Sequence, residues 1–289
     1  MTSPIAPIKL AGVMAVLLSS GGSAPGNVEH PGITAHKAVV GGVPAQTPAF
    51  ASVAEVFDIR GAERGQCTGT VVAPTLILTA GHCAENTATG VVNPASGYTV
   101  LTGGVEAAGI RRQVSRVAAV IVYEGFDRRI ADGDAALLVL STPTTASAIT
   151  LATGTDEGEF RAGATAMIAG WGKTYYEQRR PTEGLRWADT VVQGARWCNR
   201  NARPFHAGTE ICTIDPPSYR TGGCLGDSGG PLLAPHGADG ELVQIGITSH
   251  GYRRCSTRRP SVFTRVEPIA AWVRTWIDAY KLPPAPQAP

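Results

Sequence analysis

The stretch Cys224-Leu225-Gly226-Asp227-Ser228-Gly229-Gly230-Pro231 decides how the rest of the chain is read. Its serine is bracketed by glycines. Such a residue can occupy a tight turn with its hydroxyl exposed and the neighbouring backbone N–H groups unobstructed. Acyl transfer needs both a nucleophile and donors aimed at the developing oxyanion. Alone, the stretch is equally compatible with an ordinary turn.

A serine hydroxyl is a poor nucleophile without a base. Upstream, Leu78-Thr79-Ala80-Gly81-His82-Cys83 offers His82, whose side chain ordinarily titrates near neutrality. An imidazole base needs an orienting acceptor. Asp134 immediately precedes Ala135-Ala136-Leu137-Leu138-Val139-Leu140, so it enters a buried apolar strand, which suits that task. Asp132 lies two residues further from the apolar run and is the weaker candidate. Each residue has a bland reading by itself, His82 as a buried structural histidine and Asp134 as a turn cap. The three together are hard to explain that way. The stretch also fits Gly-x-Ser-x-Gly, the nucleophile turn of α/β hydrolases, with Asp239 and His250 following in that fold's order. That fold requires a helix directly after the serine. Gly229-Gly230-Pro231 opposes one, and the upstream chain lacks strand–helix alternation.

Composition narrows the class. The 289 residues are 43% hydrophobic and 17% charged, enough apolar material for a core. Thirty-five glycines and 21 prolines favour short turns over long helices. A net charge of +2 argues against a nucleic-acid protein held by a basic face. Arginine dominates the basic residues, which points to a GC-rich, bacterial genome.

The N-terminus bears on compartment. Lys9 precedes the apolar run Leu10–Leu18, and small, breaker-rich residues follow. This is the layout of a secretory signal peptide over 1–24, with small residues at 22–24 before the cut. The apolar run is far short of the roughly 20 residues a membrane-spanning helix needs. Residues 25–38 read as a pro-segment. Export makes the six cysteines candidates for three disulfides, with fifteen pairings open on arithmetic alone. No Cys-x-x-Cys spacing supports zinc.

From Val39 onward, short β-prone runs alternate with turns. They are 51–57, 69–78, 117–123, 135–140, 164–169 and 242–248, the pattern of an all-β architecture. One helix is predicted over 266–282. Ile269, Trp272, Val273, Trp276, Ile277 and Tyr280 form its apolar stripe, which serves docking rather than chemistry. The tail 283–289 should be extended.

In their order, Val39-Val40-Gly41-Gly42, Thr79–Cys83, Asp134–Leu137, Gly170-Trp171-Gly172 and Gly226–Pro231 resemble the chymotrypsin/trypsin-type serine endopeptidases. The resemblance covers 39–282. It implies two antiparallel six-stranded β-barrels, about 39–148 and about 149–265, with the site between them and a C-terminal helix. It implies His82 as base, Asp134 as orienter, Ser228 as nucleophile, and the N–H groups of Gly226 and Ser228 as oxyanion hole. It selects the pairs Cys67–Cys83, Cys198–Cys212 and Cys224–Cys255. It also implies a secreted zymogen acting on protein or peptide substrates. In that zymogen, cleavage before Val39 frees an ammonium that pairs with Asp227. A protein inhibitor is a conceivable partner, a monomer is expected, and no nucleic acid, membrane anchor, cofactor or metal is. Between Ala84 and Ile110 only Glu85 and Glu106 are acidic, too few for the calcium loop of some relatives.

Two departures stand out. Ala38 separates Lys37 from Val39, so a trypsin-like activator would leave one residue too many. And Gly222, with Gly223 beside it, occupies the place where trypsin-like members carry an Asp. The pocket of Gly222, Gly223, Gly251 and Ser261 is therefore expected to be uncharged and to favour apolar or aromatic side chains over Arg or Lys. His250 stands where relatives have Trp. Arg253, Arg254, Arg258 and Arg259 crowd the rim, either as solvated charge or as a preference for acidic substrates. The competing class is a catalytically silent binding protein on the same fold.

Overall fold

A computed structural model describes residues 39–281 except 47, 61–62, 104–111, 154–157, 159 and 180–183. The predicted leader 1–24, pro-segment 25–38 and tail 283–289 lie outside the described residues. Six strands build a first closed antiparallel barrel: β1 (Val53–Arg60), β2 (Glu63–Ala73), β3 (Leu76–Thr79), β4 (Tyr98–Thr102), β5 (Gln113–Val122) and β6 (Ala136–Leu140). They are ordered β1-β2-β3-β6-β5-β4. Six more follow: β7 (Thr165–Gly170), β8 (Arg186–Val192), β9 (Glu210–Ile214), β10 (Pro231–His236), β11 (Glu241–His250) and β12 (Ser261–Arg265). Their order is β8-β7-β10-β11-β12-β9, and pairing of Val191 with Ile214 closes the ring from β9 to β8. The fold is thus the expected pair of six-stranded barrels, and both follow one connection plan.

The apolar run of β6 is explained by what covers its two faces. Successive strand residues point opposite ways. Leu138 and Leu140 enter the first barrel's interior with Val56, Val71, Ile77 and Val100. Leu137 and Val139 join Leu76, Leu78, Ile168, Ile245 and Phe263, a cluster drawn from both barrels. A strand buried on both faces reads as a continuous hydrophobic run rather than an alternation. The predicted strand 69–78 is two strands, because Pro74-Thr75 turns the chain between β2 and β3.

The predicted helix over 266–282 is shorter. A 3-10 turn Glu267–Ile269 with Pro268 near its start leads into the C-terminal helix (Ala270–Ala279). At the other end Pro283 and Pro284 disfavour helical backbone before them. The stripe docks as expected. Val273 is fully buried, and Trp272 meets Tyr123 edge-on with ring centroids 5.2 Å apart.

Candidate active site

His82 sits on the one-turn helix α1 (Gly81–Ala84) that leaves β3. A side chain at Gly81 would collide with the Phe126 ring, its Cβ falling 2.7 Å from Cδ1, so the residue before the histidine must be bare. Asp134, 1% exposed, accepts two hydrogen bonds from His82: from the backbone N–H at 2.8 Å and on Oδ2 from Nδ1 at 2.8 Å. Ser249 Oγ donates to the same Oδ2 at 2.5 Å. Burial pushes Asp134 upward. The charge and hydrogen bonds of His82, with those of Ser249, outweigh it and hold the carboxyl below its ordinary value. Asp132, the weaker sequence candidate, instead accepts from the Thr209 hydroxyl.

The turn carrying Ser228 belongs to the second barrel and is clamped by the first. Thr68 on β2 donates its N–H to Ser228 O at 2.8 Å and its hydroxyl to Gly226 O at 2.8 Å. The same hydroxyl accepts from Trp171 N–H at 3.1 Å, and Thr79 Oγ1 donates to Thr68 O at 2.9 Å. Gly229 has φ +79°, and a Cβ there would stand 2.1 Å from Thr79 Oγ1, so this position admits only glycine. Among the described residues, the N–H groups of Gly226 and Ser228 have no acceptor within the chain. Strand β10 follows the serine, so the helix required by an α/β-hydrolase elbow is not there. His250 faces Pro204 and Glu210 instead.

Asp227 is fully buried. Its Oδ1 accepts from Gly172 N–H at 2.9 Å and its Oδ2 from Cys224 N–H at 2.8 Å. No side-chain cation is bonded to it among the described residues. Burial, only partly offset by these two bonds, pushes it up to about 7. A Cβ on Gly170 would lie 2.2 Å from its Oδ1, which is the physical reason for the Gly170-Trp171-Gly172 pattern. Val39 is buried with φ +51°. Val40 exchanges backbone hydrogen bonds with Gly222 at 2.9 and 3.2 Å.

Ser228 lines a cavity of about 350 Å³ with Gly223, Gly251 and Ser261, and Gly223 N–H donates to Ser261 Oγ at 3.3 Å. Gly222 is not part of that lining. It is occupied with Val40, although a Cβ there would make only ordinary contacts, with Thr257 Cγ2 at 3.6 Å and with Thr257 Cα and Ser261 Oγ at 3.8 Å. Tyr176, Leu225 and Tyr252 supply the apolar lining, and the charged lining residues are Arg253 and Arg254.

Disulfides join Cys67 to Cys83, Cys198 to Cys212 and Cys224 to Cys255. Cys67, His82 and Cys83 approach one another closely, but the bridge leaves no thiolate to bind a metal. Sequence reading missed Thr68, Thr79 and Glu210.

Residues 39–273 match the family described as Trypsin. The chain belongs to the trypsin family. This trypsin-family chain is a serine endopeptidase acting on peptide bonds in proteins. It is 32% identical over 216 residues to Serine protease SP24D of Anopheles gambiae, covering 74% of this chain and 73% of the relative. It is 30% identical over 210 residues to Trypsin alpha-4 of Lucilia cuprina, covering 72% and 76%. It is 28% identical over 200 residues to a Trypsin of Saccharopolyspora erythraea, covering 69% and 82%. Two of these three relatives are insect proteins and one is bacterial, so the bacterial origin expected from the arginine bias finds no support. No helix among the described residues is long and apolar enough to cross a membrane.

Proposed function

We propose that this trypsin-family chain hydrolyses peptide bonds through Ser228, His82 and Asp134 and an acyl-enzyme, and that it is made as an exported zymogen. The supporting observation is the pair of hydrogen bonds by which buried Asp134 holds both the ring and the backbone of His82. The Nδ1 proton points at Asp134, which leaves Nε2 free of a proton and able to take that of Ser228. The unpaired N–H groups of Gly226 and Ser228 then receive the carbonyl oxygen as it gains charge. Water releases the acyl group with His82 as base again.

Protein activated at Val39 should react with a serine-directed covalent inhibitor, and Ser228→Ala should not. Mature wild-type protein that stays unlabelled, seen by intact mass, would favour the silent binding protein instead.

The pocket reading is that no anion waits at its floor. Cleavage profiling on a peptide library should favour apolar or aromatic residues at the scissile bond over Arg and Lys by roughly tenfold or more, since a cationic side chain would be desolvated without a partner. The rim arginines add a second readout. Acidic residues flanking the bond should speed cleavage at low salt and lose that advantage at high salt. A profile blind to both acid and salt makes these arginines solvated charge only.

A further inference from the structure

One buried carboxyl behind the catalytic residues has no part in the scheme above. Glu210 opens β9 at 2% exposure. Its Oε2 accepts from the His206 backbone N–H at 2.6 Å. Its Oε1 is buried without a hydrogen-bond partner, 3.9 Å from His250 Nδ1. The other ring nitrogen, Nε2, lies 3.2 Å from the Pro204 carbonyl, which can only accept. Nε2 therefore carries the imidazole proton and Nδ1 is an acceptor. An ionised Oε1 would turn lone pairs toward lone pairs. A protonated Oε1 would give Nδ1 a donor and relieve the orphaned oxygen once the 3.9 Å gap closes by roughly 1 Å. Ser249 Oγ is the competing donor, 3.4 Å from the same Nδ1 and 2.5 Å from Asp134 Oδ2. A hydroxyl has one proton and cannot serve both acceptors.

We propose that Glu210 is a positioning residue for the reaction: its protonated carboxyl turns a donor toward His250 Nδ1 and so commits the Ser249 hydroxyl to Asp134. The proposal rests on the triad reading above. The surroundings favour the neutral acid. Burial first, and then the nearby charges of Asp132 and Asp134, push Glu210 up to about 8 against the pull of the His206 N–H. Burial likewise holds His250 below its ordinary value, outweighing the Pro204 bond and Asp134, with His82 and His206 acting in the same direction as burial. At neutral pH both members are uncharged. Above about 8 the Glu210 proton leaves, Nδ1 is vacated, and Ser249 divides its proton between two acceptors.

The test uses the full chain activated at Val39. Both kcat and KM on a peptide substrate, and the rate of Ser228 acylation by a serine-directed reagent, are followed from neutral into alkaline pH. Wild type should show a fall in kcat, not a rise in KM, centred near the Glu210 value. Glu210→Leu, with no donor, should lower kcat about tenfold at neutral pH, the size of one lost hydrogen bond. Glu210→Gln keeps an N–H donor and cannot ionise, so it should restore most of that loss and abolish the alkaline fall. Difference infrared spectroscopy should show the C=O stretch of a protonated carboxylic acid in wild type at neutral pH, absent in Glu210→Gln. The same alkaline fall in wild type and Glu210→Gln, or no such band, overturns the proposal. Failure of wild-type Ser228 to acylate at any pH is a different failure, of the triad reading, and removes the positioning role with it whatever the infrared shows.

Discussion

Asp134→Asn is expected to lower kcat by about four orders of magnitude while changing KM little, the loss typical when a triad carboxylate becomes an amide. The geometry shows why so small a change costs so much. Asp134 is an acceptor on both oxygens, toward His82 N–H, His82 Nδ1 and Ser249 Oγ. An amide can keep the Oδ1 bond to the backbone N–H, but its nitrogen then faces Nδ1 as a donor. The imidazole responds by moving its proton to Nε2, the nitrogen that must accept from Ser228. Stopped-flow acylation of titrated enzyme measures this directly. A loss under about a hundredfold would mean that another group orients His82. The carboxyl also bears on stability. Its folded value is depressed. It therefore contributes stability that is present above the ordinary aspartate value and lost as pH falls through the folded one. Asp134→Asn should remove that acid-side dependence in a urea titration across acid pH.

The second large effect concerns Asp227. In the uncut chain it is a buried carboxyl with two backbone donors and, among the described residues, no bonded side-chain cation, raised to about 7. A raised value means stability that is fully present below the ordinary carboxylate range and is lost as pH rises through about 7. On the proposed zymogen reading, cleavage before Val39 would supply an ammonium and reverse the sign. The cut form should gain stability relative to the uncut form as pH rises into the neutral range, read by thermal melts of the two forms side by side. Breaking a buried ion pair by removing one partner costs roughly 3–5 kcal/mol, so Asp227→Asn in the cut form should lower activity by ~10²–10³-fold. Acetylating the new α-amine should do the same. Terminal sequencing of active material should begin at Val39. Activity in protein beginning at Met1 or Pro25 would sink the model. Finding Ala38 as the working terminus would show that the insertion tolerates the extra residue that a cut after Lys37 leaves.

Much of this was legible in the chain because chemistry and burial leave local traces. Ser228 is marked by its glycines. Asp134 is marked by the run Ala135–Leu140, whose unbroken apolarity reflects a strand covered on both faces. Other features were hidden because their cause lies far away in sequence. Thr68 looks like any threonine in a β-prone run, and its role depends on Gly226, Ser228 and Trp171, more than a hundred residues downstream. Gly170 and Gly172 are required by the bulk of the Asp227 carboxyl, which no local pattern announces. Glu210 heads Glu-Ile-Cys-Thr-Ile, where a polar first residue suggests a solvated strand end rather than a buried acid. Gly222 was placed in the pocket by counting back from Cys224, but its pairing with Val40 could be seen only in the fold.

Thr68 also has a consequence for when this enzyme is dangerous. The nucleophile turn takes its shape from a residue of the opposite barrel, so a chain whose halves have folded but not yet met has no armed serine. Parting the halves later would disarm it as it opened the cluster the two barrels share. With Ser228 as the proposed nucleophile, proteolytic power is confined to the fully assembled molecule, a restraint separate from the proposed removal of the segment before Val39.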